Sequence, residues 1–221
     1  MMKKLSLIVA FLMLMLGAAQ AQDKFDYKLV KEIVDNERPY FNDILKLYLA
    51  DDKLLRTDDI ALVYYGHSYM PEYKGGNDVN EKTLKNYVAE NNFAKMYETS
   101  KKILAYNPVN LNALFYAWLS SQKLAKPEAE VNSYVNKYLR ILEMITTMGD
   151  GKSSRSPFRV INPDDQDHVM YGMLDIENVT SRNLDTRTLC NIVGVTPSNK
   201  FPARTMYFDV SRYLSHTSKK K

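Results

Sequence analysis

Residues 81–148 read EKTLKNYVAENNFAKMYETSKKILAYNPVNLNALFYAWLSSQKLAKPEAEVNSYVNKYLRILEMITTM. Three breaks interrupt this stretch, at Asn91-Asn92, at Asn107-Pro108 and just before Pro127. Between the breaks, apolar residues recur three and four positions apart, which is the spacing of one face of an α-helix. The short connections are typical of helical hairpins. The stretch therefore predicts two hairpins, with helices over 81–90, 93–106, 111–124 and 127–148.

These two hairpins resemble tetratricopeptide repeats, in which each unit is a pair of helices that stacks on the next. With Pro108 taken as the proline that closes a repeat, Tyr87 falls at an expected aromatic position. Leu84 stands where glycine is usual, Met96 where alanine is usual, and Trp118 at another position for a small residue. The resemblance therefore implies a similar architecture without the full repeat signature.

Helical spacing continues upstream, with one apolar series over 25–33 and another over 41–49. We expect Pro39 to separate the two helices, because proline disfavours a helical conformation in the residue before it. The sequence Thr57-Asp58-Asp59 is typical of a helix start, where a hydroxyl can cap a backbone N–H and carboxylates suit the helix dipole. We expect this third helix to end at Gly66.

The character of the sequence changes after residues 149–157, which are rich in glycine, serine and charge and which we interpret as a flexible linker. Residues 204–211 alternate strictly between apolar and polar, as a half-buried strand does. Residues 189–195 are apolar on both faces, which indicates a central strand. Residues 158–161 are a weaker third candidate, and residues 164–174 predict a helix between strands.

Together these patterns predict an α+β fold. An N-terminal helical hairpin array (tetratricopeptide-like) over 22–148 packs with a small C-terminal antiparallel sheet within 158–215, and the two parts form one compact unit. Residues 216–221 are expected to be a disordered basic tail. The single cysteine, Cys190, excludes an intramolecular disulfide, so the hydrophobic core must stabilise the fold.

The first 21 residues have the three parts of a secretory signal peptide. Lys3 and Lys4 precede an apolar run over 5–16, and Ala19 and Ala21 form an A-x-A cleavage site. The run is too short to span a bilayer, which needs about 20 apolar residues. We therefore expect cleavage near Ala21 and a periplasmic or secreted protein without a stable membrane anchor.

The charges of the chain are nearly balanced, with 30 Lys and Arg against 26 Asp and Glu. Two of the lysines lie in the predicted signal peptide and three form the terminal run Lys219–Lys221. The remaining body interleaves both signs, whereas a nucleic-acid binder needs a basic face or stripe. We therefore expect no nucleic-acid partner.

Three short motifs lie in the helical and strand regions of the chain. They read LVYYG at 62–66, KKILAYNP at 101–108 with Ala113 following, and MYFDV at 206–210. On these motifs, the chain resembles an uncharacterised family, a domain of unknown function in exported proteins of Gram-negative anaerobes. The resemblance spans most of the mature chain. It implies a helical front half and a β-containing back half, but no activity.

Candidate residues for catalysis or metal binding are few. His67 and His168, the latter beside Asp164, Asp165 and Asp167, could hold a metal or act as a base. No spacing places two histidines on one helical face, and no known catalytic motif surrounds either residue. We therefore assign no catalytic residue, no metal ligand and no cofactor.

Residues 66–80 form a long connection that contains turn residues and several tyrosines. A tyrosine ring offers rigid apolar area and a polar tip, which suits recognition. We expect Tyr64 and Tyr65 to pack against the helices, and Tyr69 and Tyr73 to be exposed. The candidate residues for binding a ligand or partner are Tyr65, His67, Tyr69, Tyr73, Trp118 and His168.

These observations favour an exported, non-catalytic interaction protein. In this hypothesis, stacked helical hairpins present a groove to a peptide or protein partner in the periplasm, as helical arrays commonly do. One alternative is a hydrolytic or metal-dependent enzyme that uses His67 or His168 with a nearby aspartate. Another is a small-ligand carrier with a pocket between helices and sheet, closed by the tyrosine loop as a lid.

Overall fold

The computed structural model describes residues 26–218, which contain nine helices and one four-stranded sheet. The predicted signal peptide and Lys219–Lys221 lie outside the described residues. Within the described part, no helix is both long and apolar enough to cross a membrane. The helices are α1 (Tyr27–Asn36), α2 (Arg38–Leu49), α3 (Thr57–His67), α4 (Val79–Ala89), α5 (Phe93–Tyr106), α6 (Leu111–Lys123), α7 (Glu128–Thr147), α8 (Asp165–Gly172) and α9 (Ser211–Ser218). The strands are β1 (Phe158–Arg159), β2 (Val179–Asp185), β3 (Cys190–Val195) and β4 (Thr205–Asp209).

The sheet confirms the predicted α+β class but corrects its topology. Its strands lie in the order β1-β4-β3-β2, so β3 is interior as predicted. β1 pairs with β4 in parallel, with Phe158 opposite Phe208, whereas the β4–β3 and β3–β2 pairs are antiparallel. The sheet is therefore mixed. The reason is the connection: after β1 the chain passes through α8 and two other strands before β4 takes its place beside β1.

Strand β2 has no counterpart in the sequence prediction. Most of its side chains are exposed, so it carries no apolar alternation. It lies at the edge of the sheet, where polar side chains discourage pairing with another chain. β2 and β3 lie close together at Gly194, where an added Cβ would be only 2.5 Å from the Ser181 Oγ. Glycine at position 194 therefore lets the two strands pair.

Helices α1 and α2 are separated at Glu37, not at Pro39. Glu37 closes α1, since its N–H donates to the carbonyl oxygen of Ile33 at 2.9 Å. Pro39 lies in the first turn of α2, where a missing amide hydrogen costs no helical hydrogen bond. The prediction of two helices is confirmed, and the residue that separates them is corrected.

Helix α3 continues through Gly66 to His67, so the prediction that Gly66 ends the helix was wrong. Gly66 has a packing role instead. A Cβ there would lie 2.6 Å from Phe41 Cε2 and 3.1 Å from Val34 Cγ2, so its absence lets α3 lie close to α1 and α2. The additional helical residues carry His67 into the interior.

Residues 149–157, expected to be a flexible linker, form a turn that is bonded to the sheet. Gly151 has a φ of +66°. Its N–H donates to the Ser156 carbonyl oxygen at 2.8 Å, and its carbonyl oxygen accepts from the Tyr207 N–H at 2.8 Å. The Phe158 ring occupies the place that a side chain at Gly151 would need. These contacts hold the turn between α7 and β1.

One apolar core joins the helices to the sheet. Side chains from α1, α2, α3, α7 and α8 meet those of the strands, and Tyr64, Ile145 and Phe208 are fully buried there. Cys190 is buried, as predicted. A second cluster between α4, α5 and α6 contains Leu84, Met96, Ile103 and Ala113. Helices α4 to α7 each pack on the next in sequence order.

The C-terminal residues 211–218 form α9, whereas we expected a disordered tail from residue 216. The His216 ring lies 4.7 Å from the Tyr73 ring, and Cδ2 of His216 would lie 2.9 Å from a Cβ on Gly75. A helix of this length is unstable in isolation. Packing against the loop after α3 therefore provides the stabilisation that the sequence alone did not reveal.

Candidate functional site

A cleft of about 250 Å³ opens at the surface between α2, α3 and the end of α5. We call it the His67 cleft. Phe41, Val63 and His67 form its buried part, and Leu49, Glu72 and Ala105 are exposed residues of its lining. Most of the lining is apolar, as in sites that bind small molecules or side chains. The remaining lining residues are Leu45, Met70, Leu104, Tyr106 and Pro108.

His67, the last residue of α3, is the buried polar side chain of this cleft. Only 5% of its surface is exposed, and its Nε2 has no hydrogen-bond partner among residues 26–218. Burial lowers its pKa to about 4, while Glu72 acts in the opposite direction. The imidazole is therefore neutral at pH 7. A neutral imidazole nitrogen can donate or accept one hydrogen bond, depending on the tautomer.

Tyr48 joins the two walls of the cleft. It is buried, and its hydroxyl donates to the Pro108 carbonyl oxygen at 3.2 Å, which ties α2 to the segment after α5. Because Tyr48 points into the core, its neighbour Leu49 lies 52% exposed. This hydrogen bond therefore ties together the two sides of the cleft, and Leu49 contributes apolar surface at its rim.

The loop after α3 is fastened to the body of the protein, which corrects the expectation that Tyr73 is exposed. Tyr73 is only 4% exposed. Its hydroxyl donates to the Ile161 carbonyl oxygen. Its ring lies edge-on to the rings of His67 and His216, at centroid distances of 6.3 Å and 4.7 Å. Tyr73 therefore packs against His67 in the interior and is not available on the surface to a partner.

Tyr69 is held between α1 and α9, and it is half-buried where we expected exposure. Its hydroxyl donates to the Tyr27 carbonyl oxygen at 2.9 Å. The Arg212 guanidinium lies 3.8 Å from the centre of the Tyr69 ring and donates to the Oγ and the carbonyl oxygen of Ser68 at 2.8 Å and 2.6 Å. A loop anchored at both tyrosines is poorly suited to act as a lid.

Tyr65 and Trp118 do not line the cleft. Tyr65 is fully buried, as predicted, and its hydroxyl donates to the Arg159 carbonyl oxygen at 3.3 Å. Trp118 is half-buried on α6, with its ring 5.7 Å from that of Phe115. Both side chains therefore serve packing in this fold.

His168 lies in a separate aromatic cluster. Its Nε2 is 2.8 Å from the Asn112 Oδ1, and its Nδ1 is 3.1 Å from the Tyr138 hydroxyl. Because an amide oxygen only accepts, Nε2 carries the proton and Nδ1 accepts from Tyr138. Burial lowers the pKa of His168 to about 4, although Asp164 acts to raise it. With both nitrogens engaged, His168 has no free nitrogen to offer a substrate or metal.

The two candidate histidines have different surroundings. The His67 ring lies against Tyr73, whereas the His168 ring lies against Phe115 and Tyr138. Throughout the described part of the chain, no group of three or more His, Cys, Asp or Glu side chains is arranged to hold a metal ion. The geometry therefore gives the metal hypothesis no support.

Asp165 and Glu81 are buried carboxyl groups that the sequence did not connect. Asp165 Oδ2 accepts from the Tyr64 hydroxyl at 2.6 Å and from the Asn162 N–H at 3.1 Å. Glu81 accepts from the side chains of Asn110 at 2.8 Å and Asn162 at 3.3 Å. Burial raises the pKa of both groups, to about 8 for Asp165. The adjoining cavity of about 10 Å³ has room for roughly one water molecule.

The sequence identified His67 but missed most of the cleft. Leu45 and Leu49 belong to the apolar series over 41–49 that predicted α2, and Leu104 comes from a helix far along the chain. The sequence carried no usable signal for these residues, because the apolar series over 41–49 has the ordinary spacing of a core-facing helix stripe. Which of its residues would remain exposed depends on how α2 meets α5.

The profile of one protein family, described as Domain of unknown function (DUF4919), matches residues 28–219. Neither curated proteins nor solved structures give a significant match. The family description names no activity, so the interpretation of the cleft depends on its own geometry.

Proposed function

We propose that this protein, which belongs to the family described as Domain of unknown function (DUF4919), is an exported, non-catalytic protein that binds a peptide or protein segment in the His67 cleft. The observation that carries this proposal is the mostly apolar lining of the His67 cleft, which includes the exposed residues Leu49 and Ala105. An occupant that covers these apolar side chains removes their surface from water, which favours binding.

The setting of the cleft supports a peptide or protein as the occupant. Leu49, which is 52% exposed, lies in its lining together with the partly buried Leu45 and Leu104. Apolar side chains grouped in one concave surface are typical of binding sites. An open rim lets a side chain enter while the backbone of the partner stays outside.

We further propose that the family comprises exported proteins of Gram-negative anaerobes, and that this chain acts in the periplasm after cleavage near Ala21. The support is the pattern of residues 1–21. We also propose that α4–α7 are related in architecture to tetratricopeptide repeats, since their helices pack in sequence order. Mass spectrometry of the protein from the cell envelope tests the cleavage, with an N-terminus at Gln22 as the expected result.

The binding proposal is tested by placing a photoreactive p-benzoyl-phenylalanine at Leu49 and irradiating cells that export the protein. We expect one recurrent partner in the cross-linked product. Leu184 on β2 is a matched control, because it is 43% exposed and does not line the cleft. Equal capture from both positions, or none from Leu49, would contradict the proposal.

A small-ligand carrier is the second candidate, and the volume of the cleft favours it. A cavity of about 150 Å³ can hold a benzene-sized molecule, and the His67 cleft is larger at about 250 Å³. The site differs from the pocket between helices and sheet that we expected of a carrier. Native mass spectrometry of the exported protein distinguishes this candidate, because a carrier should retain a small apolar molecule.

An enzyme that uses His168 has less support, because both nitrogens of His168 are engaged by Asn112 and Tyr138. Metal analysis of protein purified without added metal tests the metal-dependent form of this alternative. Stoichiometric zinc, together with a zinc-dependent gain in stability, would favour it over binding.

A further inference from the structure

Charge that is nearly balanced over the whole chain is unevenly distributed among the described residues. Residues 82–126, which include α5, α6 and most of α4, contain seven lysines, two glutamates and neither arginine nor aspartate. The other described residues contain 23 Asp and Glu against 17 Lys and Arg. Helices α4 to α6 therefore form a basic region in a protein that otherwise has an excess of acidic residues.

Three of these lysines lie on the exposed face of α5. Lys95, Lys101 and Lys102 are exposed, and none of them joins an ion pair within residues 26–218. Glu98 is the one acidic residue of this helix. The exposed face of α5 therefore keeps a net positive charge that no other part of the described chain neutralises by a direct contact.

A second hollow, of about 250 Å³, lies against α4 and α5 and connects this face to the His67 cleft. Its lining includes Lys102 and the Tyr87 ring, and the Lys95 Nζ lies 5.0 Å from the centre of that ring. The end of α5 lines the His67 cleft, where Ala105 is exposed. Ala105 follows Lys101 and Lys102 by four and three residues, a spacing that places the three side chains on one face of the helix. The two concave surfaces are therefore joined along α5.

The joined surface is long enough for an extended peptide segment. The rise from Lys95 to Ala105 is about 15 Å along the helix axis, which is the length of about four or five extended residues. A segment with an apolar side chain in the His67 cleft can therefore continue along the lysines of α5. Glu72, an exposed residue of the cleft lining, disfavours acidic residues on its own side and so directs them toward α5.

The chemistry of this face favours an acidic peptide over other anions. Three lysines spread over two helical turns suit separate carboxylates, whereas a phosphate group is best recognised by donors that converge on it, above all those of arginine. A face that binds a membrane surface needs large apolar side chains beside its lysines. The exposed apolar residues of α5 are the small side chains of Ala94 and Ala105.

We propose that the exposed face of α5 binds an acidic stretch of the partner segment, whose carboxylates face Lys95, Lys101 and Lys102 while an apolar side chain of the same segment fills the His67 cleft. This inference rests on the proposed function and specifies the chemistry of its partner. Complementary charge fixes the direction in which the segment lies and excludes basic segments.

The test measures binding of three capped peptides to the purified protein by NMR. The peptides are acetyl-Leu-Ala-Glu-Glu-Ala-Glu-amide and the same sequence with glutamine or with lysine in place of glutamate. We expect the glutamate peptide to bind on the order of three- to tenfold more tightly than the glutamine peptide, and the lysine peptide to bind least tightly. Salt should reduce this preference. The glutamate peptide should shift both the methyl signals of Leu49 and the amide signals of α5.

Paired lysine variants test whether the preference arises on α5. Lys101→Gln combined with Lys102→Gln should remove most of the preference for glutamate over glutamine. Lys28→Gln combined with Lys152→Gln is the matched control, because both lysines are exposed, join no ion pair among residues 26–218 and line neither hollow. The control should keep the wild-type preference although its net charge changes equally.

Several outcomes would overturn the inference. Equal binding of the glutamate and glutamine peptides would do so, and shifts at Leu49 would then show that the cleft still binds. Shifts in α5 without shifts at Leu49 would mean that no single segment spans both surfaces, which would also count against the proposed function. Tighter binding of a single-stranded oligonucleotide of equal charge would assign the face to nucleic acid. If no peptide binds, the inference is wrong, and cross-linking from Leu49 decides separately whether the proposed function holds.

Discussion

At the scale of single residues, Asp165 makes the stability of the protein depend on pH. It is 3% exposed, and burial, together with the nearby Glu81, raises its pKa from 3.8 to about 8. Between these values the folded protein keeps a proton that the unfolded chain has lost. The stability that Asp165 contributes is therefore complete below its unfolded pKa and is lost as the pH rises toward 8.

We expect Asp165→Asn to remove this dependence, because the amide oxygen still accepts from Tyr64 and carries no charge at any pH. The difference in free energy of unfolding between variant and wild type should grow by about 1 kcal/mol per pH unit from about pH 5 to about pH 7.5. Urea denaturation followed by circular dichroism measures it. Asp167→Asn is the control on the same helix, since Asp167 is half-exposed and pairs with Arg182 at 2.5 Å. Parallel pH profiles for all three proteins would show that Asp165 is ionised in the fold.

The ionisation of His67 and His168 has the opposite effect on how stability changes with pH. Burial lowers the pKa of each from 6.5 to about 4. Their contribution to stability is present above pH 6.5 and is lost as the pH falls toward 4, because the unfolded chain then binds more protons. Both histidines remain in the Asp165 variant, so their effect cancels in the comparison with wild type.

At the scale of elements, close packing of α3 determines where the cleft lies. All of α3 from Asp59 to His67 is buried, and Gly66 provides the space for Phe41 of α2. The same contact places His67 beside the α2 residues that line the cleft. A change in the distance between these two helices would therefore alter both stability and the cleft.

We expect Gly66→Ala to destabilise the protein by about 1–3 kcal/mol, because its Cβ would lie 2.6 Å from the Phe41 ring. This value is the net effect: the steric cost should outweigh the helix propensity, which favours alanine over glycine by roughly 1 kcal/mol. Chemical denaturation provides the measurement. The Phe41→Leu background is the internal control, since relieving the contact should make Gly66→Ala less costly there. A neutral or stabilising Gly66→Ala in the wild-type background would show that α2 and α3 separate easily.

Helix α9 acts on the loop after α3 through Arg212. We expect Arg212→Ala to lower stability by about 1–2 kcal/mol, because it removes the contact with the Tyr69 ring and the hydrogen bonds to Ser68. Hydrogen exchange should rise in residues 68–73 and in α9. Arg187→Ala, at an exposed position between β2 and β3, serves as the control. Unchanged exchange in the loop would mean that the tyrosines hold it without α9.

At the scale of the whole molecule, the helices and the sheet depend on one core. Tyr64 of α3, Ile145 of α7 and Phe208 of β4 belong to the same buried cluster. Each would be exposed if its partners were removed, and the lost burial of a large apolar side chain costs about 1.5–3 kcal/mol. The sheet, with one strand of two residues, has too little core of its own.

We therefore expect a fragment of residues 26–148 to lose cooperative unfolding, although it contains every helix of the hairpin region. The faces of α3 and α7 that meet the sheet would be exposed in it. Urea titration followed by near-ultraviolet circular dichroism compares the fragment with residues 26–218, which should unfold in one sharp transition. A sharp transition in the fragment would establish the helical part as an independent domain.

The sequence by itself determined the local elements and their order. The helix over 93–106 was predicted with its observed ends, and residues 205–209 form the strand that strict alternation indicated. These patterns are local, because helix and strand periodicity depend on residues a few positions apart. His67 was recognised as a candidate because a histidine in an aromatic loop stands out without any knowledge of its neighbours.

The tertiary structure alone decided which of these residues meet. The parallel pairing of β1, the burial of Tyr73 and the bond between Tyr64 and Asp165 all join parts of the chain that are far apart in sequence. Strand β2 is polar, so only its pairing with β3 identifies it. The His67 cleft likewise exists only where α2, α3 and α5 converge. Periodicity records which side of an element is buried, but the choice of partner depends on the packing of the whole chain.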